Sequence, residues 1–241
     1  MLGCLSSRED SLWLWDPCIV TAIGFLHTAE SHVETFGALV EDVEPSRGHV
    51  HAVRCDLLER ARQYGVDDQA LAVELRAAVQ DLAARDARFV ICTCSTIGGV
   101  FEQSAGGLGV DVLRVDRPMV ERAVRIGSRI GVLSALESTL APTRSLLYEE
   151  ALAAGKEITV VEVPCFEAWG LFENGDIVGY QRDVAKHIDQ LEAAIDVVIL
   201  AQASMAAAAA LVKSDRVVLS SPRSAIEAAL NGHPRSWAAS L

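Results

Sequence analysis

The chain is 241 residues long, 51% hydrophobic and 22% charged, enough to bury one large core or two modest ones and too apolar for a disordered segment. Its formal net charge of -12 argues against nucleic acid or an anionic membrane as a general partner, although a local cationic pocket could still hold a small carboxylate. No apolar run is long enough to span a bilayer, and Met1–Asp16 carries Arg8, Glu9, Asp10 and Asp16 where a secretory signal would be apolar, so the chain reads as cytoplasmic with no membrane partner.

Runs rich in Val and Ile recur along the chain at Cys18–Leu26, His49–Cys55, Phe89–Thr93, Val110–Val115, Arg129–Ser134, Ile158–Val163, Val197–Ala201 and Arg216–Leu219. Between them, segments such as Asp68–Arg85 and Leu136–Ala154 space their apolar residues at helical intervals. Alternation of this kind predicts an α/β fold with parallel strands, built either as a single eight-stranded barrel or as two four-stranded open sheets. Both place a site at the carboxyl ends of the strands.

Two segments answer each other. Arg88–Gly99 and Asp196–Met205 both read as a short buried strand, a tight turn of small polar residues and an Ala/Gly-rich helix start. The first turn carries Cys94 and the second carries Gln202 at the matching place. The pairing favours an internal duplication into two pseudo-symmetric lobes, each a four-stranded parallel sheet flanked by helices, with the site between them. Residues 18–112 with 206–241 are expected as the first lobe, 113–205 as the second, and 1–17 as an N-terminal extension.

The six cysteines, Cys4, Cys18, Cys55, Cys92, Cys94 and Cys165, include no CxxC pair and no Cys/His spacing suited to zinc, so they read as reduced thiols that mostly pack, and no metal is expected. Cys94 is the exception, because a strand end followed by a helix start lets backbone N–H groups stabilise a thiolate. Cys92 lies inside the strand and reads as core. Gly106-Gly107-Leu108-Gly109 precedes a strand and lacks the strand-first context of a dinucleotide fingerprint.

The stretch Val90-Ile91-Cys92-Thr93-Cys94-Ser95-Thr96 resembles the first signature of the aspartate/glutamate/hydantoin racemase superfamily, a strand ending in Cys-Asn-Thr. Ile130-Gly131-Val132-Leu133-Ser134 with Ser138-Thr139 is similar to a second family segment, and Val163-Pro164-Cys165-Phe166 falls where glutamate racemases carry Ala-Cys-Pro. The resemblance implies a cofactor-independent enzyme of two α/β lobes, often dimeric, holding a small carboxylate-bearing substrate between a cysteine from each lobe. Here the second signature falls on Leu200-Ala201-Gln202-Ala203-Ser204, and glutamine is neither acid nor base at neutral pH.

Cys94 is therefore the expected proton-transfer thiol. Ser95, Thr96, Ser138 and Thr139 are expected to hold the carboxylate, with helix capping as the structural alternative. His27 and Thr28 end the first strand and are expected to line the cleft, Gln202 and Ser204 to form the altered second wall, and Cys165 to be the first candidate for a second acid or base. Arg117, Arg144 and Arg223 flank strand ends, where a solvated arginine is the commoner case. Three readings follow: an amino-acid racemase-like isomerase; a one-cysteine lyase, decarboxylase, cis–trans isomerase or hydrolase; or a binder of small ligands without turnover.

Overall fold

The computed structural model describes residues 22–231. The extension 1–17, Cys4 and Cys18 lie outside the described residues. Within them the strands form two separate four-stranded parallel sheets rather than one closed barrel. The first has the order β2-β1-β3-β4, from β1 (Ala22–His27), β2 (His49–Val53), β3 (Ala87–Cys92) and β4 (Asp111–Arg114). The second has the order β6-β5-β7-β8, from β5 (Arg129–Ser134), β6 (Thr159–Pro164), β7 (Val197–Leu200) and β8 (Val217–Ser220). All eight expected strands are present; the first four residues of the expected Cys18–Leu26 lie outside the described residues, and the other ends are shifted by at most two.

The two sheets repeat one topology strand for strand, and their hydrogen bonds repeat as well. Thr93 N–H donates to Leu26 O where Ala201 N–H donates to Leu133 O; Arg54 N–H donates to His27 O where Cys165 N–H donates to Ser134 O. This register makes Cys94 and Gln202 equivalent, two residues beyond the paired positions Cys92 and Leu200. Central strands are mostly apolar because helices cover both faces, most fully in β7, where all four residues are apolar and buried. Edge strands β2 and β6 are partly exposed, and Pro164, with no N–H to give, ends β6 at the edge.

Helices α1 (Ser31–Val43), α2 (Cys55–Tyr64), α3 (Gln69–Ala84) and α4 (Ser95–Ser104) connect the strands of the first sheet. Helices α6 (Glu137–Ala153), α7 (Phe166–Glu173), α8 (Ile177–Asp189) and a 3₁₀ helix (Ala203–Leu211) connect those of the second. The last helix of each half crosses over. After β4, α5 (Arg117–Ile126) packs Met119, Val120, Ala123 and Val124 into the core of the second sheet. After β8, α9 (Ser221–Leu230) returns Ala225 and Ile226 to Phe25, Phe36 and Val40 of the first.

The expected lobe boundaries differ from this arrangement. β8 pairs in parallel with β7, Val197 opposite Val217, so 206–220 lies with the second sheet and the chain recrosses only at α9. The boundary at 112 cuts through β4, whose pairing with β3 continues to Arg114.

A buried ionic joint ties the halves at this crossing. Arg114 bonds Asp116 through Nε (2.7 Å) and Nη2 (2.9 Å). Arg117 grips Glu102 of α4 through Nη2 at 2.6 Å and reaches Glu149 and Glu150 of α6 through Nη1. Arg114, Asp116, Glu102 and Arg117 are each at most 4% exposed. A buried carboxylate left without its arginine costs about 3–5 kcal/mol. Arg117→Met is accordingly expected to lower unfolding free energy by about that much in urea denaturation. Adding Glu102→Leu should recover part of the loss, since it removes the stranded carboxylate but also the acceptor of Arg114 N–H at 3.0 Å. A single Arg117→Met change that leaves the urea midpoint in place would show that the joint carries no stability.

Candidate active site

Both sheets aim their carboxyl ends at one cleft of about 240 Å³, below the usual range for drug-sized ligands and suited to a compact one. The turn Thr93–Thr96 forms one wall and the turn Ala201–Ser204 the other. Thr28, His32, Cys55 and Leu58 complete the first side, and Leu136, Thr139, Trp169 and Phe172 the second. Glu59 and Arg62 of α2 also reach it. Ser95 Oγ donates to Ala201 O at 3.1 Å, a direct strut between the two turns.

Cys94 sits at the N-cap of α4 with extended backbone, 8% exposed and without a side-chain cap bond. Behind it, Gly98 gives Arg114 room: a Cβ there would stand 2.9 Å from Arg114 Cβ. Cys92 is fully buried, donates to Cys94 O at 3.7 Å, and burial pushes its thiol well above the ordinary value. It is a core residue, as its place inside the strand predicts.

The second wall is held differently. Gln202 Oε1 accepts from Ala135 N–H at 2.7 Å, so its amide closes the turn after β5 and leaves the NH₂ as the polar group available to the cleft. Ser204 Oγ lies 3.0 Å from the hydroxyl of Tyr180, whose ionisation burial pushes up to about 12.

The cleft brings together Cys94, Ser95, Thr96, Thr28, Thr139, Gln202 and Ser204. Three expected residues fall elsewhere. Ser138 lines a neighbouring groove between α6 and the α2–α3 turn. Cys165 is fully buried in the second core beside Tyr180 and Val184, and burial pushes its thiol up to about 12. His27 is fully buried behind Thr93 and does not line the cleft. Arg117, Arg144 and Arg223 are engaged in ion pairs with Glu102, Glu162 and Asp42 and do not line it either.

Sequence reasoning missed His32, Cys55, Arg62, Trp169 and Phe172 in the lining. It also missed that four of the six histidines converge. His27 Nδ1 lies 2.9 Å from Thr93 Oγ1 and its Nε2 2.8 Å from His51 Nδ1, while His51 Nε2 lies 2.7 Å from His49 Nδ1. His32 Nδ1 approaches the same Thr93 hydroxyl at 3.2 Å. The signal was present in the alternation of His49 and His51, which puts both on one face of a strand. Burial is the main force lowering His27 to about 3 and His32 and His51 to about 4; neighbouring imidazoles add to it at His27 and His51, and Arg85 at His51.

No family model and no curated protein matches the chain, whereas solved structures do. An aspartate racemase of Picrophilus torridus superposes with a TM-score of 0.66 at 12% identity, over 87% of this chain and 92% of that one. A glutamate racemase isoform of Bacillus anthracis gives 0.59 at 15%, over 88% and 81%. An allantoin racemase of Pseudomonas fluorescens gives 0.58 at 18%, over 87% and 89%. The chain thus has the two-lobed fold of the aspartate, glutamate and allantoin racemase structures.

The histidine cluster makes a pH prediction. The folded pKa values of His27, His32 and His51 lie below the unfolded value of about 6.5, so between the two the unfolded chain binds more protons and stability falls as pH falls. The loss begins as pH drops through about 6.5 and levels off only near the folded values. Urea midpoints are expected to be lower at pH 5 than at pH 7.5, with a smaller difference in His51→Gln. Equal midpoints would mean that the cluster is protonated as readily folded as unfolded.

Proposed function

We propose that the chain is a cofactor-independent isomerase that moves a proton at the carbon next to the carboxylate of a small acid or amino-acid-like substrate, with Cys94 as the working thiol. The observation that carries this reading is the N-cap of α4. Ser, Thr, Asp and Asn are the favoured caps, and replacing one typically costs about 1 kcal/mol. Cys94 makes no cap bond there, lines the cleft and follows a buried strand. A thiol kept where a hydroxyl would fold better points to chemistry. The fold shared with racemase structures supports the same class.

The carboxylate has donors waiting. The first N–H groups of α4, at Ser95 to Ile97, have no helical acceptor, and the helix dipole favours an anion there. The hydroxyl of Thr96 and the NH₂ of Gln202 add neutral donors, and Arg62 adds a cation at the rim. These donors stabilise charge as it spreads from the α-carbon into the carboxylate. The hydroxyl proton of Ser95 is committed to Ala201 O, so Ser95 contributes through its N–H.

Gln202 favours a second reading, a one-thiol lyase, decarboxylase or cis–trans isomerase, because an enolate-like intermediate protonated from one face needs one acid. Measuring deuterium incorporation at the α-carbon across a panel of chiral acids separates the two readings. Strongly unequal exchange of the enantiomers is expected, and release of CO₂ would identify the lyase. Binding without exchange would leave only the reading as a binder.

Cys94→Ser is expected to lower turnover by about 10²–10⁴-fold, the range for a lost general acid or base, while thermal stability holds or rises because serine fills the cap. Activity within a few-fold of wild type would remove Cys94 from the mechanism. Gln202→Cys restores a thiol but strands Ala135 N–H, so it should cost stability by about 1–3 kcal/mol while raising exchange of the slower enantiomer.

A further inference from the structure

We propose that His49, His51 and His27, joined through the Thr93 hydroxyl to His32, form a proton relay between the outer edge of the first sheet and the cleft. His49 and His51 stand on the partly exposed edge strand β2, and His32 lines the cleft, so the path enters the site from behind the Cys94 turn and stays open when a ligand fills the mouth.

The four contacts, between 2.7 and 3.2 Å, link rings that in the neutral form each have one donor and one acceptor nitrogen. Burial lowers the affinity of His27, His32 and His51 for a second proton, which favours the neutral form of these three rings. A neutral chain can be satisfied in two polarities. In one, His49 Nδ1–H donates to His51 Nε2, His51 Nδ1–H to His27 Nε2 and His27 Nδ1–H to Thr93 Oγ1; the Thr93 hydroxyl, which also reaches Leu26 O at 3.3 Å, turns its one proton to His32 Nδ1 at 3.2 Å, leaving His32 Nε2–H as an acid. When that proton leaves, each of the others shifts one bond along and a solvent proton enters at His49 Nε2. Every ring is again neutral, the polarity is reversed, and the bare His32 Nε2 is a base. The next proton must travel outward. Such a relay gives and takes protons alternately, which suits isomerisation, with no net proton consumed, better than decarboxylation.

The second lobe serves as an internal control. By strand register, the places of His49, His51, His27 and Thr93 are taken there by Val160, Glu162, Ser134 and Ala201. The lobe that lacks the thiol also lacks the imidazoles.

The function assigned to the relay rests on proton transfer in the cleft, but the relay itself is tested without a substrate. In protein with ¹⁵N-labelled histidine near pH 7, the ring nitrogens of His27 and His51 should give shifts averaged between protonated and bare values, because both polarities are populated. Thr93→Val removes the hydroxyl that His27 Nδ1 meets and should freeze both rings with the proton on Nε2. One fixed tautomer per ring in wild type overturns the proposal by itself, whatever the variant does. With a turned-over acid in hand, His51→Gln, which keeps hydrogen bonds but passes no proton, should lower kcat about 10-fold or more at unchanged KM, with recovery on adding imidazole. Fixed tautomers would sink the relay and leave the isomerase standing, whereas an active Cys94→Ser enzyme with averaging histidines would do the reverse.

Discussion

The cleft depends on a charge that cannot be left alone. Arg117 is 4% exposed, and a guanidinium so buried is tolerable only if carboxylates converge on it. Those carboxylates come from both halves of the chain, Glu102 from α4 and Glu149 and Glu150 from α6. Fixing these helices on one cation also fixes their opposite ends, where Cys94 precedes α4 and Thr139 lies in the first turn of α6. Glu102 is seven residues beyond Ser95, or about 10 Å along the helix at 1.5 Å per residue. A displacement at the joint therefore reaches the thiol through two turns of rigid helix. The crossing of α5 and α9 reinforces this by making each core partly out of the other half's last helix.

The helix ends differ in capping according to the element that precedes them. The two helices that follow another helix, α3 and α8, begin with Asp68 and Asp176, and both side chains accept from backbone N–H groups in the first turn. Helices that begin at a strand's carboxyl end, α1, α2, α4, α5, α6, α7 and α9, carry no side-chain cap, and three of them start at Arg54, Cys94 and Cys165. The 3₁₀ helix starting at Gln202 has none either. Side-chain capping is thus present at the two helices that follow another helix and absent from all those that follow a strand, including the ones around the cleft, where free N–H groups can meet a ligand.

The layers that periodicity controls were legible in the sequence. Eight β runs and the helices Gln69–Ala84 and Glu137–Ala153 emerged where the apolar spacing put them, because a central parallel strand must be apolar on both faces. The matched turns Cys94 and Gln202 were legible as a pair for the same reason. The return of the chain between lobes was not, since β8 and α9 carry ordinary amphipathic patterns that fit either sheet. Nor were the roles of polar residues at strand ends. His27 and Thr28 are adjacent, yet strand alternation sends one behind the sheet and the other into the cleft. Ser138 and Thr139 part in the same way around a helix. A residue such as His32 or Trp169 enters a site through tertiary placement alone, and no local pattern announces it.

The two lobes began with equivalent geometry and hold unequal chemistry, and the difference extends well behind the cleft wall. In the first lobe, Gly37 of α1 lies over the histidines of β2, where an added Cβ would stand 3.4 Å from His49 Cε1. In the second, Arg144 of α6 reaches to Glu162 at 2.5 Å, a half-exposed pair on the register position that matches His51. A thin helix face over imidazoles preserves a sheltered polar path, while an ion pair open to water fixes charge in place. Gln202, at the place that matches Cys94, has no such path behind it, and its side chain closes the turn after β5 through Ala135 N–H. The thiol of Cys94, by contrast, lies one residue from Thr93, whose hydroxyl meets both His27 and His32.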